Sequence, residues 1–131
     1  MKAIIHTDGG ARGNPGPAGA AAIVEIGGKS LNYGLFIGRA TNNQAEYQAI
    51  ILGLTKAKEL GATEADCFLD SELVVKQLNQ EYKVKNNDLA PLFVRVWNLK
   101  IEFYKIRFFH IPREENKNAD RLVNKVIDEN I

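Results

Sequence analysis

The stretch Lys2–Pro17, KAIIHTDGGARGNPGP, constrains this chain most. Residues 2–8 form an isoleucine-rich run that stops at glycine, which is the pattern of a β-strand. The run closes on a carboxylate, Asp8, and a loop rich in glycine and proline follows from Gly9 to Pro17. An acid held at a strand end, with permissive backbone behind it, is a charge presented at a site.

The rest of the chain reads as further strands and helices around this one. Residues 19–26 and 30–37 are two more strands joined by a hairpin at Gly27-Gly28-Lys29, so the first three strands are expected to form an antiparallel ribbon. Thr41-Asn42-Asn43 starts a helix over residues 43–60, and Gly61 stops it. Residues 64–70 are a fourth, buried strand ending on Asp70, and Ser71 opens a second helix, SELVVKQLN. A polar break, EYKVKNN at 81–87, precedes a third helix over 88–103, with Pro91 tolerated in its first turn. Residues 105–111 make the fifth strand, 112–117 a charged loop and 118–129 the last helix. The expected class is α/β, a five-stranded mixed sheet flanked by helices, in a single domain over residues 1–131. Cys67 and His6 read as structural, and Trp97 and Tyr104 as packing residues.

Composition excludes little. Apolar content of 45% and charged content of 25% are ordinary for a globular protein, and a net charge of +1 neither advertises nor forbids a nucleic-acid partner. No apolar run approaches the ~18 residues a membrane span needs. The N-terminus carries no signal-peptide series, and a lone cysteine cannot pair internally, so a cytoplasmic protein is expected.

Four acids stand out. On a helix, Glu46 shares a face with Ile50, Gly53 and Ala57, a stripe turned toward the sheet. A charge pointing inward costs several kcal/mol unless it is compensated, and no cationic side chain lies one turn away. A metal ion would compensate it. The alternative is a helix-start glutamate favoured by the helix dipole. Asp8 and Asp70 each follow a strand where the chain changes direction, a usual place for sites in α/β sheets. Their alternatives are a solvated loop acid and a helix N-cap. Asp120 opens the last helix, where it also suits the dipole. Carboxylates gathered without cysteine or paired histidine suit Mg²⁺ or Mn²⁺ and argue against zinc.

Taken in order, TDGGARGNPGPAGA, TNNQAEYQAI, DSELVVKQL and HIPREENKNADRL resemble the motifs of type 1 ribonuclease H, in its compact bacterial and archaeal branch. The resemblance spans almost the whole chain. It implies a ribonuclease H-like fold in which two parallel strands follow the antiparallel three. It implies that Asp8, Glu46, Asp70 and Asp120 bind two Mg²⁺ ions in the substrate complex, with Mn²⁺ as a possible substitute. Asp8 would bridge the ions, with Asp120 on the water-activating side and Glu46 and Asp70 on the leaving-group side. The implied reaction is hydrolysis of the RNA strand of an RNA–DNA hybrid, leaving a 3′-hydroxyl and a 5′-phosphate, by a monomer. The implied substrate contacts are Gly9, Gly10, Arg12, Gly13 and Asn14 beside Asp8, with Thr41, Asn42, Asn43 and Gln44 before Glu46. Asn14 and Thr41 resemble the family's pocket for a DNA phosphate, and the residues after Thr41 would reach base edges or 2′-hydroxyls in the minor groove.

This sequence departs from many relatives in three places. Lys83 and Lys85 alone stand where others insert a basic helix and loop, so weaker and strongly salt-dependent binding is expected. No hybrid-binding module is expected before the first strand. The loop preceding Asp120, where relatives carry a mobile histidine, is short; Arg113 is favoured as the auxiliary catalytic group over His110, which reads as a strand end, and the alternative is a packed His110 with a solvated Arg113. Glu72 stands where relatives often have glutamine. Two other readings are a nuclease that also cuts double-stranded RNA and a non-catalytic nucleic-acid-binding module of the same fold.

Overall fold

The computed structural model describes residues 1–131. Five strands and four helices follow in the order β1 (Lys2–Ala11), β2 (Gly16–Ile26), β3 (Lys29–Ala40), α1 (Asn42–Glu59), β4 (Glu64–Leu69), α2 (Glu72–Leu78), α3 (Ala90–Ile101), β5 (Lys105–His110) and α4 (Lys117–Asn130). A single 3₁₀ turn, Arg113–Glu115, precedes α4. The sheet order is β3-β2-β1-β4-β5. β1, β2 and β3 pair antiparallel, and β4 pairs parallel with both β1 and β5.

β1 shows the alternation of a strand covered unevenly on its two faces: Ala3, Ile5, Thr7 and Gly9 are buried and the residues between them half-buried. The buried set faces α1, whose Ile50, Leu54 and Ala57 join Ile5, Val24, Val74 and Val96 in the main core. α1 is itself enclosed, by the sheet on one side and α3 on the other. It therefore buries Tyr47 and Ile51 as well as the stripe after Glu46, more than a one-faced amphipathic pattern predicts. Small residues set how closely the layers approach. A Cβ on Gly53 would lie 2.8 Å from Ile5 Cγ2, and Ala20, Ala21 and Ala22 in β2 are fully buried. α4 covers the opposite face through Val123 and Ile127, packed against Ala21.

Several expected boundaries move. The glycine stretch after Asp8 is strand, not loop. β1 continues to Ala11, and Gly9, Gly10 and Ala11 pair with Ala20, Gly19 and Ala18 of β2. The antiparallel ladder keeps this segment extended, so the loop shrinks to residues 12–15. β2 and β3 extend toward the same end for the same reason. The third helix is shorter than expected at both ends and opens at Leu89, which has no side-chain cap. Tyr104 does not pack: it is 83% exposed, and Trp97 stacks on Phe93 at the surface. His110 closes β5 exposed rather than packed. Cys67 is buried, and His6 stacks on Phe68 at 5.2 Å.

Candidate active site

β1 and β4 pair only as far as His6 with Phe68. Beyond that point β1 runs on beside β2, while the chain leaves β4 through Asp70 into α2. The connections of these neighbouring strands run to opposite sides of the sheet, and a crevice opens between their carboxyl ends. Asp8 and Asp70 stand on either side of it.

Glu46 enters the crevice because of Gly9. A Cβ on Gly9 would fall 2.2 Å from the backbone carbon of Ala45 and 2.4 Å from the nitrogen of Glu46. Only glycine lets the start of α1 touch β1 there, and the contact seats Glu46 beside Asp8. Gly9 thus serves helix packing, not a flexible loop. One oxygen from each of Asp8, Glu46 and Asp70 lies within 4.8 Å of the others. Asp120, in the first turn of α4, lines the same cleft, and its charge acts on Asp8.

This gathering is electrostatically unfavourable as it stands. Burial, and then the charges of Asp70, Asp120 and Glu46, push the Asp8 carboxyl up to about 8. Burial pushes Glu46 up to about 7, against a lowering contact from Ser71 and with a smaller upward push from Asp70. Glu46 Oε2 is buried with no hydrogen-bond partner. Asp66 shows how this fold treats a buried acid it means to neutralise. Asp66 accepts bonds of 2.9 and 3.0 Å from Arg107 and pairs with Lys2 at 2.6 Å. The Glu46 cluster contains no such cation. Its donors are all carboxylate oxygens, the set that hard divalent ions take.

The other expected residues divide. Gly9, Gly10, Arg12, Asn42 and Arg113 line the same acidic cleft, of about 480 Å³. Arg113 is 81% exposed, its Nη2 4.0 Å from Asp120 Oδ1, while His110 does not line the cleft. Asn14 Oδ1 accepts the Asn42 backbone N–H at 3.0 Å, and Asn42 Oδ1 accepts that of Ala11 at 2.8 Å, so the two amides brace the rim. Thr41 caps α1, and Gln44 returns the bond to the Thr41 N–H at 2.8 Å, which occupies Gln44's oxygen in a capping box. Asn43 sits half-buried in the first turn of α1, and Gly13, with φ at 101°, forms the turn of the 12–15 loop. Arg12 pairs with Asp128 and reaches Asn124 of α4. Glu72 is held by Lys76 at 2.9 Å, on the surface of α2. The largest cavity, about 670 Å³, lies elsewhere: an apolar groove between α2 and α3 whose walls include Phe93 and Trp97 and carry no carboxylate. Charge, not size, marks the site.

Asn116 escaped the sequence reading. It is 2% exposed, and its Nδ2 donates to Asp70 Oδ2 at 3.0 Å and to the Thr7 carbonyl at 2.8 Å. An asparagine four residues before Asp120, at a helix start, reads as an ordinary N-cap, and no signal in the sequence says otherwise.

A family profile described as "Reverse transcriptase-like" matches residues 6–126. The chain is 41% identical over 126 residues to a protein named ribonuclease HI from Halobacterium salinarum, covering 95% of this chain and 63% of that one. The chain belongs to the type 1 ribonuclease H family. The crystal structure of the RNase H1 from that halophile has a TM-score of 0.94 at 38% identity, covering 98% of this chain and 99% of the other. Another ribonuclease H neighbour, LC11-RNase H1 in complex with an RNA/DNA hybrid, has a TM-score of 0.91 at 42% identity, with 97% of each chain covered. The bifunctional protein Rv2228c of Mycobacterium tuberculosis is 47% identical over 131 residues, which are 98% of this chain but 36% of that protein. The chain thus spans about a third of the mycobacterial relative and under two thirds of the halobacterial one. The chain passes from α2 to α3 through residues 79–89 without an inserted helix.

Proposed function

We propose that this chain is an endoribonuclease that hydrolyses the RNA strand of RNA–DNA hybrids, leaving 3′-hydroxyl and 5′-phosphate ends. The observation that carries the reading is the uncompensated carboxylate cluster of Asp8, Glu46 and Asp70 at the β1–β4 switch point, with Glu46 Oε2 buried and partnerless. The hybrid seen with LC11-RNase H1 supports the substrate class. Asp8, Glu46, Asp70 and Asp120 would hold two Mg²⁺ ions, with Mn²⁺ as a substitute. Bound divalent ions polarise a phosphoryl oxygen and lower the pKa of an attacking water.

The chain's own residues do the rest. Asp8 lies closest to the charges of all three other acids and would hold the ions together with them. Arg113, at the outer edge beside Asp120, would offer an exposed positive charge to the phosphate. The Asn14–Asn42–Ala11 chain of hydrogen bonds holds the rim rigid, so that Asn42 and its neighbours meet the minor groove, where 2′-hydroxyls distinguish RNA from DNA. We expect a cytoplasmic monomer. No helix is long and apolar enough to cross a membrane, and the lone thiol is buried.

The test is a labelled RNA–DNA hybrid beside the same RNA in an RNA duplex, each with Mg²⁺ and with Mn²⁺. Metal-dependent cutting of the hybrid's RNA alone is expected, and Asp70→Asn should abolish it while the hybrid still binds. Cutting of both substrates widens the class to double-stranded RNA. Binding without cutting in either metal, or full activity in Asp70→Asn, overturns the catalytic reading.

A further inference from the structure

Asn116 occupies the position that starts α4, yet its side chain makes no capping bond to that helix. Serine, threonine, aspartate and asparagine favour this place because the side chain can accept a backbone N–H two or three residues on. Here the amide turns the other way, into the protein. Nδ2 donates to the Thr7 carbonyl, the peptide unit just before Asp8, and to Asp70 Oδ2. The Asn116 carbonyl accepts the Asp120 N–H at 3.1 Å. One buried residue thereby bonds to Asp70, to the Asp120 backbone and to the residue before Asp8.

The orientation of the amide follows from its neighbours. Both groups facing Nδ2 are acceptors, so the flipped amide would set three acceptors against one another. The bond to Thr7 also falls just past the last residue at which β1 pairs with β4, His6 with Phe68. Asn116 supplies a donor where the ladder has ended and the two strands begin to part. The arrangement leaves Asn116 Oδ1 buried with no partner. A residue kept only to fill this space would do better without a stranded acceptor. What the amide gains in return is a fixed Asp70: one carboxylate oxygen is held by Nδ2, and the other remains for a cation.

We infer that Asn116 is a positioning residue of the metal centre, holding Asp70 and the Thr7 carbonyl that precedes Asp8 in the geometry that binds the divalent ion. The inference rests on the proposed function for its effect on cleavage, but not for its effect on metal affinity. Partners that orient metal-binding side chains typically contribute about 10- to 100-fold in affinity or activity.

The experiment compares wild type, Asn116→Ala and Asn116→Ser by calorimetric titration with Mn²⁺ and with Mg²⁺, and by kcat and KM on a labelled hybrid. Alanine removes the donor, and serine keeps one hydroxyl too short to reach both acceptors. Metal affinity is expected to fall by about 10- to 100-fold in Asn116→Ala and by less in Asn116→Ser. The kcat should fall in parallel, with the hybrid KM little changed and with partial recovery at high Mn²⁺. A merely structural role would lower the melting temperature and leave the metal affinity of the folded protein unchanged. Should the alanine variant not fold, the serine variant carries the same comparison. Wild-type metal affinity in the folded variants overturns the inference, whatever happens to cleavage. A wild type that binds the ion but cuts no hybrid overturns the reading of function and leaves the Asn116 comparison intact. A wild type that binds neither ion overturns both.

Discussion

Glu46 and Asp66 are both acids drawn out of water, and their neighbours decide what each does. Hydrogen bonds and charge from Arg107 and Lys2 hold Asp66 below the usual carboxylate range despite the upward push of its burial. Glu46 and Asp8 have no cation and are pushed the other way, to about 7 and about 8. The sign of the linkage follows. Each of these two carboxyls loses its proton more readily in the unfolded chain, near 4.5 and 3.8, than in the folded one. Their contribution to stability is therefore complete below about pH 4 and is lost as the pH rises through 7 to 8. A bound cation reverses this, because it favours the ionised form. In EDTA the melting temperature should fall between pH 5 and pH 9. Mg²⁺ should raise it, and by more at pH 8.5 than at pH 6. A metal-free melting temperature flat across that range would mean that the acids are not held close in solution.

At the scale of elements, the site depends on two close approaches. α1 meets β1 at Gly9, and α4 meets the sheet beside Asp70 through Asn116. At Gly9 the obstacle to a larger residue is backbone, not a side chain that can swing aside. Gly9→Ala should therefore destabilise the fold by about 1–3 kcal/mol or more, the usual range for overpacking. It should also lower cleavage more than stability alone explains, because Glu46 moves with the helix end. Denaturant unfolding and single-turnover cleavage at saturating hybrid would measure the two separately; a variant with wild-type values in both would remove Gly9 from the account. α1 and α2 are tied further along by the buried bond from Tyr47 Oη to Gln77 Oε1, 2.7 Å. Such contacts hold the helices in register although Asp8, Glu46 and Asp70 pair with no cation.

The whole molecule carries a net charge of +1, and four of its sixteen acids line one cleft, so affinity for a polyanion would depend on basic side chains around that cleft and near the α2–α3 passage. Lys83 and Lys85 are exposed there, where no inserted helix extends the surface. Each phosphate neutralised contributes about 0.9 to the slope of log affinity against log salt. If both lysines meet the hybrid, Lys83→Gln combined with Lys85→Gln should flatten that slope by about 1 to 2 and weaken binding about equally across sequences. Fluorescence anisotropy with the Asp70→Asn protein measures it without cleavage. An unchanged slope would place the electrostatic footprint away from this passage.

The sequence by itself determined the strands, the helices and the four acids. β-branched runs bounded by glycine, helical spacing after Thr41 and carboxylates at the ends of elements are local patterns, set by residues within a turn or two of one another. The resemblance of the ordered motifs carried the family for the same reason. Tertiary structure alone decided the rest. Gly9 to Ala11 are strand because β2 pairs with them. Gly9 has its value because a helix that begins more than thirty residues later in the chain presses against it. His110 and Tyr104 are exposed because they lie at the two ends of β5, beyond the core that buries Ile106 and Phe108 between them. Asn116 looks like a helix cap and is instead bound to Asp70 and Thr7, 46 and 109 residues away. Hydrogen bonds and steric contacts act over a few ångströms of space, and sequence spacing says nothing about those distances once the chain has crossed from one side of the sheet to the other.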